Sequence, residues 1–244
     1  MNISLSMTCF RRKEMLQQVL SSIVSSDITD LNIKLFVSAD FYSDEIISVF
    51  DSFNLDKDIE INYTPIGCNR NTLTAIQRAF DSKYSSYIIH LEDDTPISKD
   101  SLQYYKYLFE KYENDENVYS ITGYNKTEFI NEEDAYKFVP QKFFCAWGCA
   151  FWSEKWKIIK DNWIKHLSPR NGGISWDTHL NNSLFSGGKR LTQIKPLISR
   201  IQNIGDTNGT YVSDAIWHFY HQRTTYTSND LTMNIDWKNY AKNN

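Results

Sequence analysis

The sequence predicts an α/β protein with a mainly parallel sheet flanked by helices. Short apolar runs of strand type alternate with stretches of helical period as far as residue 123, which is typical of βα units. The fourth run ends abruptly in three carboxylates, Glu92-Asp93-Asp94. Such a position corresponds to the carboxyl edge of a sheet, where open α/β folds bind their ligands.

Each predicted element rests on its own local pattern. The first strand alternates apolar and polar residues, and apolar residues then repeat at helical spacing up to Val24. A helix after the second strand has Ser43 as its N-cap, and a helix after the acidic triplet starts at Ser98. The predicted strands are residues 3–9, 33–38, 59–63, 87–92 and 118–122.

The second half of the chain is less regular. A polar loop is followed by the aromatic block Phe143–Trp152 and by a helix from about Glu154. A further helix is predicted at 179–185, and residues 191–204 have the pattern of a strand. No linker separates the halves, so we expect one domain, 1–244, with a regular half at 1–123 and a less regular half at 124–244.

Composition excludes several classes of protein. An aromatic fraction of 15% indicates a globular chain, and a net charge of -4 argues against nucleic acid as a partner. The first residues lack the apolar core of a signal peptide, and no stretch is long enough to be a transmembrane segment. We therefore expect a soluble, cytoplasmic protein, with peripheral attachment to a membrane left open.

The four cysteines lack paired CxxC spacing, which predicts buried free thiols.

The distribution of glycine is informative, because the first glycine is Gly67. Dinucleotide-binding folds, P-loops and nucleotidyltransferases need a Gly-rich loop after the first strand, where this chain has Thr8–Lys13. A nucleotide at this edge would have to be bound by side chains and a metal. Arg11 could meet a phosphate there, or it could be an ordinary solvated arginine at a helix start.

The acidic triplet predicts a cation. Three adjacent carboxylates repel one another, and a divalent ion with oxygen ligands is the simplest compensation. Alternatively, Asp94 caps the turn at Thr95-Pro96 while Glu92 and Asp93 face solvent.

Together these pieces resemble the GT-A glycosyltransferases, and most closely the N-acetylglucosaminyltransferase I type. The resemblance runs from Ile3 to about Tyr211 and rests on several short motifs in the right order. It implies that 1–123 is a nucleotide-sugar-binding half and that 124–244 is an acceptor-binding half with a lid. These motifs are Cys9-Phe10-Arg11, Val37-Ser38-Ala39-Asp40, Glu92-Asp93-Asp94, Trp147-Gly148, Trp152–Trp156, Trp176-Asp177, Ile198-Ser199-Arg200 and Ile204-Gly205.

The resemblance implies roles for the donor side. Asp94 would bind Mn²⁺ (or Mg²⁺) bridging the diphosphate of a nucleotide-sugar, and Glu92 and Asp93 would contact ribose and donor sugar. Asp40 would accept a hydrogen bond from the base, such as the N–H of uracil, or would instead be a charge at the start of the next helix. Arg11 would contact the diphosphate. The stretch Asn69-Arg70-Asn71 lies near where the family has a loop that touches the base, with Asn71 in place of an expected histidine.

It also implies roles for the acceptor side. Asp177 would be the general base of an inverting transfer, or else a first-turn acid of the helix at 179–185. Trp147 and Trp176 would stack on acceptor sugars, or would belong to the core; for Trp152 and Trp156 we expect core.

The resemblance extends to a lid and a second metal contact. Residues 204–211 match a loop that orders over the bound donor and excludes water. His218 would give an extra metal or phosphate contact, or would be a packed structural histidine.

The function expected is a metal-dependent transferase that moves a sugar, with N-acetylglucosamine the leading donor, from a nucleotide-sugar, UDP-linked by preference, to a hydroxyl of a glycan or glycolipid. Two alternatives remain: a non-catalytic glycan-binding module, and a sugar-phosphate nucleotidyltransferase, which the missing Gly-rich loop disfavours.

Overall fold

A computed structural model describes residues 1–163, 174–205 and 225–243. These residues form one eight-stranded sheet with the order β3-β2-β1-β4-β7-β5-β8-β6. The strands are β1 Asn2–Cys9, β2 Asn32–Ala39, β3 Lys57–Ile61, β4 Tyr87–Glu92, β5 Val118–Thr122, β6 Phe138–Gln141, β7 Cys149–Trp152 and β8 Thr192–Pro196.

The predicted mainly parallel α/β sheet is confirmed. β1 to β4 are mutually parallel where they pair, as are β5 and β8, whereas β7 runs antiparallel to both β4 and β5. β6 pairs antiparallel with β8 at the edge. β7 thus joins the regular half of the chain to the irregular half within a single sheet.

Helices cover both faces of the sheet. Neighbouring strand residues point to opposite faces, so Leu35 and Ile89 enter one core cluster while Phe36 and Ile88 enter the other. The first cluster includes residues of α1, α2 and α4, and the second includes residues of α3, α5 and α6. The helices are α1 Lys13–Val24, α2 Asp44–Asp51, α3 Cys68–Asp81, α4 Ser101–Tyr112, α5 Ser153–Asp161, α6 Trp176–Ser183 and α7 Trp237–Asn243.

Several predicted boundaries differ from the structure. The strand predicted at 191–204 ends at Pro196, because the chain then turns inward and buries the Arg200 side chain completely. The third strand lies two residues earlier than predicted, and the helix predicted at 179–185 begins at Trp176. β6 and β7 were not predicted as strands, because four-residue strands inside an aromatic block show no recognisable alternation.

Other local predictions are confirmed. The Ser43 side chain caps α2 by accepting from the amide of Ile46. Trp152 and Trp156 are both core residues, 3% and 4% exposed. All four cysteines are free as predicted, but only Cys9 and Cys149 are buried, whereas Cys68 and Cys145 are half-buried. Within the described residues, no helix is both long and apolar enough to cross a bilayer.

Candidate active site

The carboxyl ends of three adjacent strands form the sheet edge where the acidic triplet lies. β1 pairs with β2 on one side and with β4 on the other, placing Cys9 beside Ala39 and Thr8 beside Glu92. The loops that leave these three strands therefore start at one edge although they are distant in sequence. This edge is where an open α/β sheet binds its ligand.

Arg12 neutralises two of the three acids. Its guanidinium forms ion pairs with Asp93 and with Asp94, the latter at 2.5 Å. Asp93 also accepts a hydrogen bond from the backbone N–H of Phe10 at 3.1 Å. The repulsion that the sequence predicts among the acids is thus offset in this structure by Arg12, which lies in the loop between β1 and α1.

Arg11, the arginine expected at the diphosphate, is engaged with aromatic rings instead. Its guanidinium carbon lies 4.5 Å from the ring centres of both Phe10 and Phe41. Arg12 was missed by the sequence analysis, although the adjacent pair Arg11-Arg12 was the available signal. Which of two neighbouring loop residues turns toward the acids depends on backbone conformation and cannot be read from charge or spacing.

Asp94 has the properties of a carboxylate with one oxygen available to a cation. The residue is 5% exposed, and its Oδ1 is buried without a hydrogen-bond partner among the described residues. Burial raises the Asp94 pKa, while Arg12 opposes that rise. A free carboxylate oxygen fits a hard divalent cation, which commonly uses one or two carboxylates together with phosphates and water.

No larger metal cluster exists in the part of the chain that the structure describes: no three His, Cys, Asp or Glu side chains are grouped to hold an ion. Asp94 is therefore a single candidate ligand and not a member of a larger ligand group in these described residues.

Glu92 lies in a strongly negative environment. Burial raises its pKa to about 8, and the charges of Asp94 and Asp177 add to this rise, against an opposing effect of Arg12. The electrostatic effect of Asp177 on Glu92 links the irregular half to the sheet edge. Asp177 is thus within electrostatic range of a residue that lies 85 positions earlier in the chain.

Asp40 secures the start of α3. It accepts hydrogen bonds from the backbone amides of Ile66 at 2.7 Å and Gly67 at 2.9 Å, and from the Asn62 side chain at 3.3 Å. Gly67 has a φ of 86°, a left-handed conformation that favours glycine. From the sequence, Asp40 could also be a charge at the start of the next helix, which is α2. The structure corrects this alternative, because the Asp40 carboxylate binds the amides that precede α3.

Asn71 and Arg70 occupy different environments within α3. The Asn71 side chain is 2% exposed and accepts from the Ser38 hydroxyl at 2.6 Å and from Asn62 at 3.0 Å, while donating to the Ser38 carbonyl at 3.0 Å. Arg70 is exposed. Both residues lie in a helix rather than in the loop that the resemblance implied.

Asp177 lies in the first turn of α6, after the N-cap residue Ser175. The Ser175 hydroxyl donates to Asp177 and shares a second hydrogen bond with the Thr178 hydroxyl at 2.8 Å. The Asp177 carboxylate is therefore held by a neighbouring hydroxyl. This position agrees with the first-turn alternative, and the role of general base stays a prediction.

The two tryptophans expected at the acceptor are placed differently. Trp147 is half-buried and packs edge-on against Tyr124 with ring centres 4.6 Å apart. Trp176 is 2% exposed and stacks on Trp163 at 4.7 Å, so it is a core residue and the acceptor role expected for it is corrected. Gly148, the residue after Trp147, has a φ of 60°. A Cβ at this position would lie 2.6 Å from the Tyr105 hydroxyl, so a larger residue would not fit there.

Two further predictions lie beyond the described residues. His218 falls outside them, as does most of the predicted lid at 204–211. The described start of that stretch is anchored at the site, because the amide of Ile204 donates to the Asp94 carbonyl at 2.9 Å.

Comparison with solved structures defines the class of this fold. TarS of S. aureus (1–349) has a TM-score of 0.56 and 12% identity over 80% of this chain and 60% of that chain. A mannosyltransferase of Pyrobaculum calidifontis, solved with GDP-Man and Mn²⁺, has a TM-score of 0.53 and 13% identity over 80% and 54%. GalNAc-T7, solved with UDP, GalNAc and Mn²⁺, has a TM-score of 0.56 and 11% identity over 83% and 43%.

The chain therefore has the GT-A glycosyltransferase fold. It spans less than two thirds of the length of these three solved chains. The sequence profile of the GNT-I family matches residues 61–242, well over half of the chain. The chain belongs to the GNT-I family. No curated protein sequence matches it.

Proposed function

We propose that this protein is a metal-dependent glycosyltransferase that moves a sugar from a nucleotide-sugar to a hydroxyl of a glycan or glycolipid, with inversion. One observation carries the proposal: at the carboxyl edge of the sheet, Asp94 keeps a buried, unbonded oxygen beside Arg12, and Asp177 is near enough to affect Glu92. The fold and the Mn²⁺ named with two structural neighbours support Mn²⁺ (or Mg²⁺) as the cofactor.

On the donor side, Asp94 would hold the metal, which would neutralise the nucleoside diphosphate as it leaves. We assign the diphosphate contact to Arg12 rather than Arg11, because Arg12 already lies against Asp94. When a cation binds Asp94, the Arg12 guanidinium can turn to the phosphates, where its planar fork matches two oxygens.

Donor recognition would use the remaining residues of this edge. Glu92 would contact a hydroxyl of the ribose or of the donor sugar through its carboxyl oxygens. Asp93 and Asp40 would contact the ribose and the base through lone pairs left over from their present bonds. Exposed Arg70 is available to the base, whereas Asn71 would act through the network that fixes Asp40. The family supports UDP and N-acetylglucosamine as the donor groups.

On the acceptor side, Asp177 would take the proton from the attacking hydroxyl as general base. Attack from the side opposite the leaving diphosphate inverts the anomeric centre. Trp147 is the tryptophan that keeps accessible surface for an acceptor ring. His218 and the lid at 204–211 complete the proposal as a further metal or phosphate contact and as a cover that excludes water.

A thermal-shift screen of nucleotide-sugars and nucleoside diphosphates, with and without Mn²⁺, tests the donor half. A Mn²⁺-dependent rise in Tm with one nucleotide family, lost in Asp94→Ala, is expected because selective binding stabilises the folded state. Asp177→Asn should retain this shift and lose transfer, because it removes the base and leaves the donor site intact.

The rival class, a glycan-binding module without chemistry, predicts the opposite result. If a folded sample shows no shift with any nucleotide but binds glycans, the transferase proposal is wrong and the module is the better account.

A further inference from the structure

Asn69, in the first turn of α3, connects the donor side of the sheet edge to the segment that carries Asp177. The residue is 1% exposed. Its Oδ1 accepts from the backbone N–H of Trp176 at 2.9 Å, and its Nδ2 donates to the Ile174 carbonyl at 3.1 Å. One side-chain amide therefore binds both a donor and an acceptor of the chain just before Asp177.

Asn69 also binds Trp163, which lies earlier in the chain than Ile174. The Asn69 backbone carbonyl accepts from the indole N–H of Trp163 at 2.9 Å, and Trp163 stacks on Trp176 with ring planes 12° apart. Trp163 and Ile174 are the residues that flank positions 164–173 in the chain. Asn69 thus fixes both flanks at one point of α3.

The bond to Trp176 satisfies a specific need of α6. The first amides of a helix have no partner within the helix, and an N-cap side chain usually accepts from one of them. Here the N-cap residue Ser175 makes no side-chain cap bond and instead donates to Asp177. Asn69 takes over part of the capping task, which leaves the Ser175 hydroxyl for the Asp177 carboxylate.

The position of Asn69 is in turn fixed from the donor side. Asp40 binds the amides of Ile66 and Gly67, which lead directly into α3. Hydrogen bonds thus join the end of β2 to the start of α3, and the start of α3 to the start of α6.

We propose that Asn69 is a positioning residue that fixes Asp177 relative to the donor-binding edge. The assignment rests on the proposed function, since it gives Asn69 a part in transfer through Asp177. Displacement of a catalytic group by about 1 Å can cost roughly 100-fold in rate, so a buried amide bonded to Ile174 and Trp176, just before Asp177, can be worth that much.

The test compares Asn69→Ala with Gln103→Ala. Gln103 is also a buried amide, 7% exposed, and donates to the carbonyls of Asp27 and Thr29, which precede β2 at the opposite edge of the sheet. Both variants lose a buried amide with two backbone bonds. We expect Asn69→Ala to lower kcat by roughly 10- to 100-fold with the donor Kd changed less than about twofold, and Gln103→Ala to leave both unchanged.

A double-variant comparison separates positioning from general damage. If Asn69 acts through Asp177, adding Asn69→Ala to Asp177→Asn should slow transfer no further than Asp177→Asn alone. Multiplying losses would overturn the proposal. If Asn69→Ala does not fold, Asn69→Asp keeps an oxygen for the Trp176 amide and suits the first turn of α3; a kcat loss smaller than that of Asp177→Asn supports the proposal, and an unchanged kcat overturns it.

Hydrogen exchange gives a readout that needs no activity. Amides of α6 should exchange faster in Asn69→Ala than in Gln103→Ala, and equal exchange would overturn the proposal. Failure of the proposed function is recognised separately, because the wild-type protein would then bind no nucleotide-sugar.

Discussion

At the scale of the residue, charge compensation dominates the candidate site. Three acids follow one another at the end of β4, and Arg12 is the cation that meets two of them. Its side chain is 23% exposed, so the ion pairs are partly shielded from water and stronger than an ordinary surface pair. A divalent cation at Asp94 and the Arg12 guanidinium would therefore compete for the same negative charge.

Removing Arg12 should make the folded protein depend on a divalent cation. Arg12→Gln is expected to lower the free energy of unfolding by roughly 2 kcal/mol, because the carboxylates lose their counter-charge. Mn²⁺ without nucleotide should then raise Tm more in the variant than in the wild type, which a thermal melt with and without Mn²⁺ would measure.

Arg78→Gln is the matched control for this change. Arg78 also bridges two carboxylates, Asp58 at 2.5 Å and Glu60 at 3.2 Å, and is 24% exposed, but its partners are about half exposed. Its loss should not increase the response to Mn²⁺. Equal responses of Arg12→Gln and the wild type would contradict the idea of competition.

His90 gives the protein a predictable sensitivity to acid. It lies in β4 with no exposed surface, its Nδ1 shares a hydrogen bond with the Ser6 hydroxyl at 2.8 Å, and burial lowers its pKa to about 3. Because the unfolded chain binds a proton near pH 6.5 and the folded chain does not, this residue lowers stability as the pH falls below that value.

The expected size of this effect is about 2 kcal/mol between about pH 7.5 and pH 5. His90→Gln keeps a hydrogen-bonding group toward Ser6 and cannot titrate, so its stability should fall less over this range. Urea unfolding at several pH values would measure the difference, and parallel curves for both proteins would rule out His90 as the source.

At the scale of the element, α7 is held by a buried polar cluster that also holds the chain after β8. Asp100 accepts from the indole N–H of Trp237 at 2.8 Å, from Arg200 at 3.2 Å and from the Ser228 hydroxyl at 2.5 Å. Trp237 also packs against Tyr104. The carboxylate thus ties three separate parts of the chain to the start of α4.

Trp237→Ala is expected to lower the free energy of unfolding by about 3–5 kcal/mol, because it removes a core aromatic and one partner of a buried carboxylate. Chemical denaturation would measure the loss. Lys238→Ala serves as the control, because Lys238 lies on the same helix as Trp237. The substitution breaks an exposed ion pair with Asp30 and should have little effect on the free energy of unfolding. Similar losses in both variants would show that the cluster does not hold α7.

At the scale of the whole molecule, β7 makes the two halves of the chain one folding unit. It lies between β4 and β5, pairing antiparallel with each, so β4 and β5 do not pair with each other. Without the second half, β4 would expose one edge and most of the core cluster that includes Ile88 would be absent. The single domain over 1–244 stays a prediction, and this strand order supports it.

The fragment 1–123 should therefore fail to fold by itself, because its fourth and fifth strands have no partner between them. We expect the full chain to unfold in one urea transition that is the same by tryptophan fluorescence and far-UV circular dichroism. A cooperative transition of the fragment, or two separate transitions of the full chain, would contradict this prediction.

Sequence reasoning was most successful where a local pattern decides the outcome. β4 and β5 have the predicted bounds, and Ser43 caps α2 as expected, because strand alternation and capping depend on a few adjacent residues. It was less successful for Arg12 and Trp176, since burial and side-chain direction depend on residues far away in the chain. Asn69 was included in a base-binding loop, and its contacts with residues 105 to 107 positions away could not be foreseen.

By itself, the sequence determined the mainly parallel sheet, the acidic triplet at the end of β4 and the resemblance to the GT-A family, because periodicity and adjacent charges are local properties of a chain. The tertiary structure alone decided which arginine meets the acids, which tryptophan is core, and how Asp177 is held near Glu92. Those outcomes depend on the β4-β7-β5 pairing and on contacts between α3 and α6, which join segments up to about a hundred residues apart.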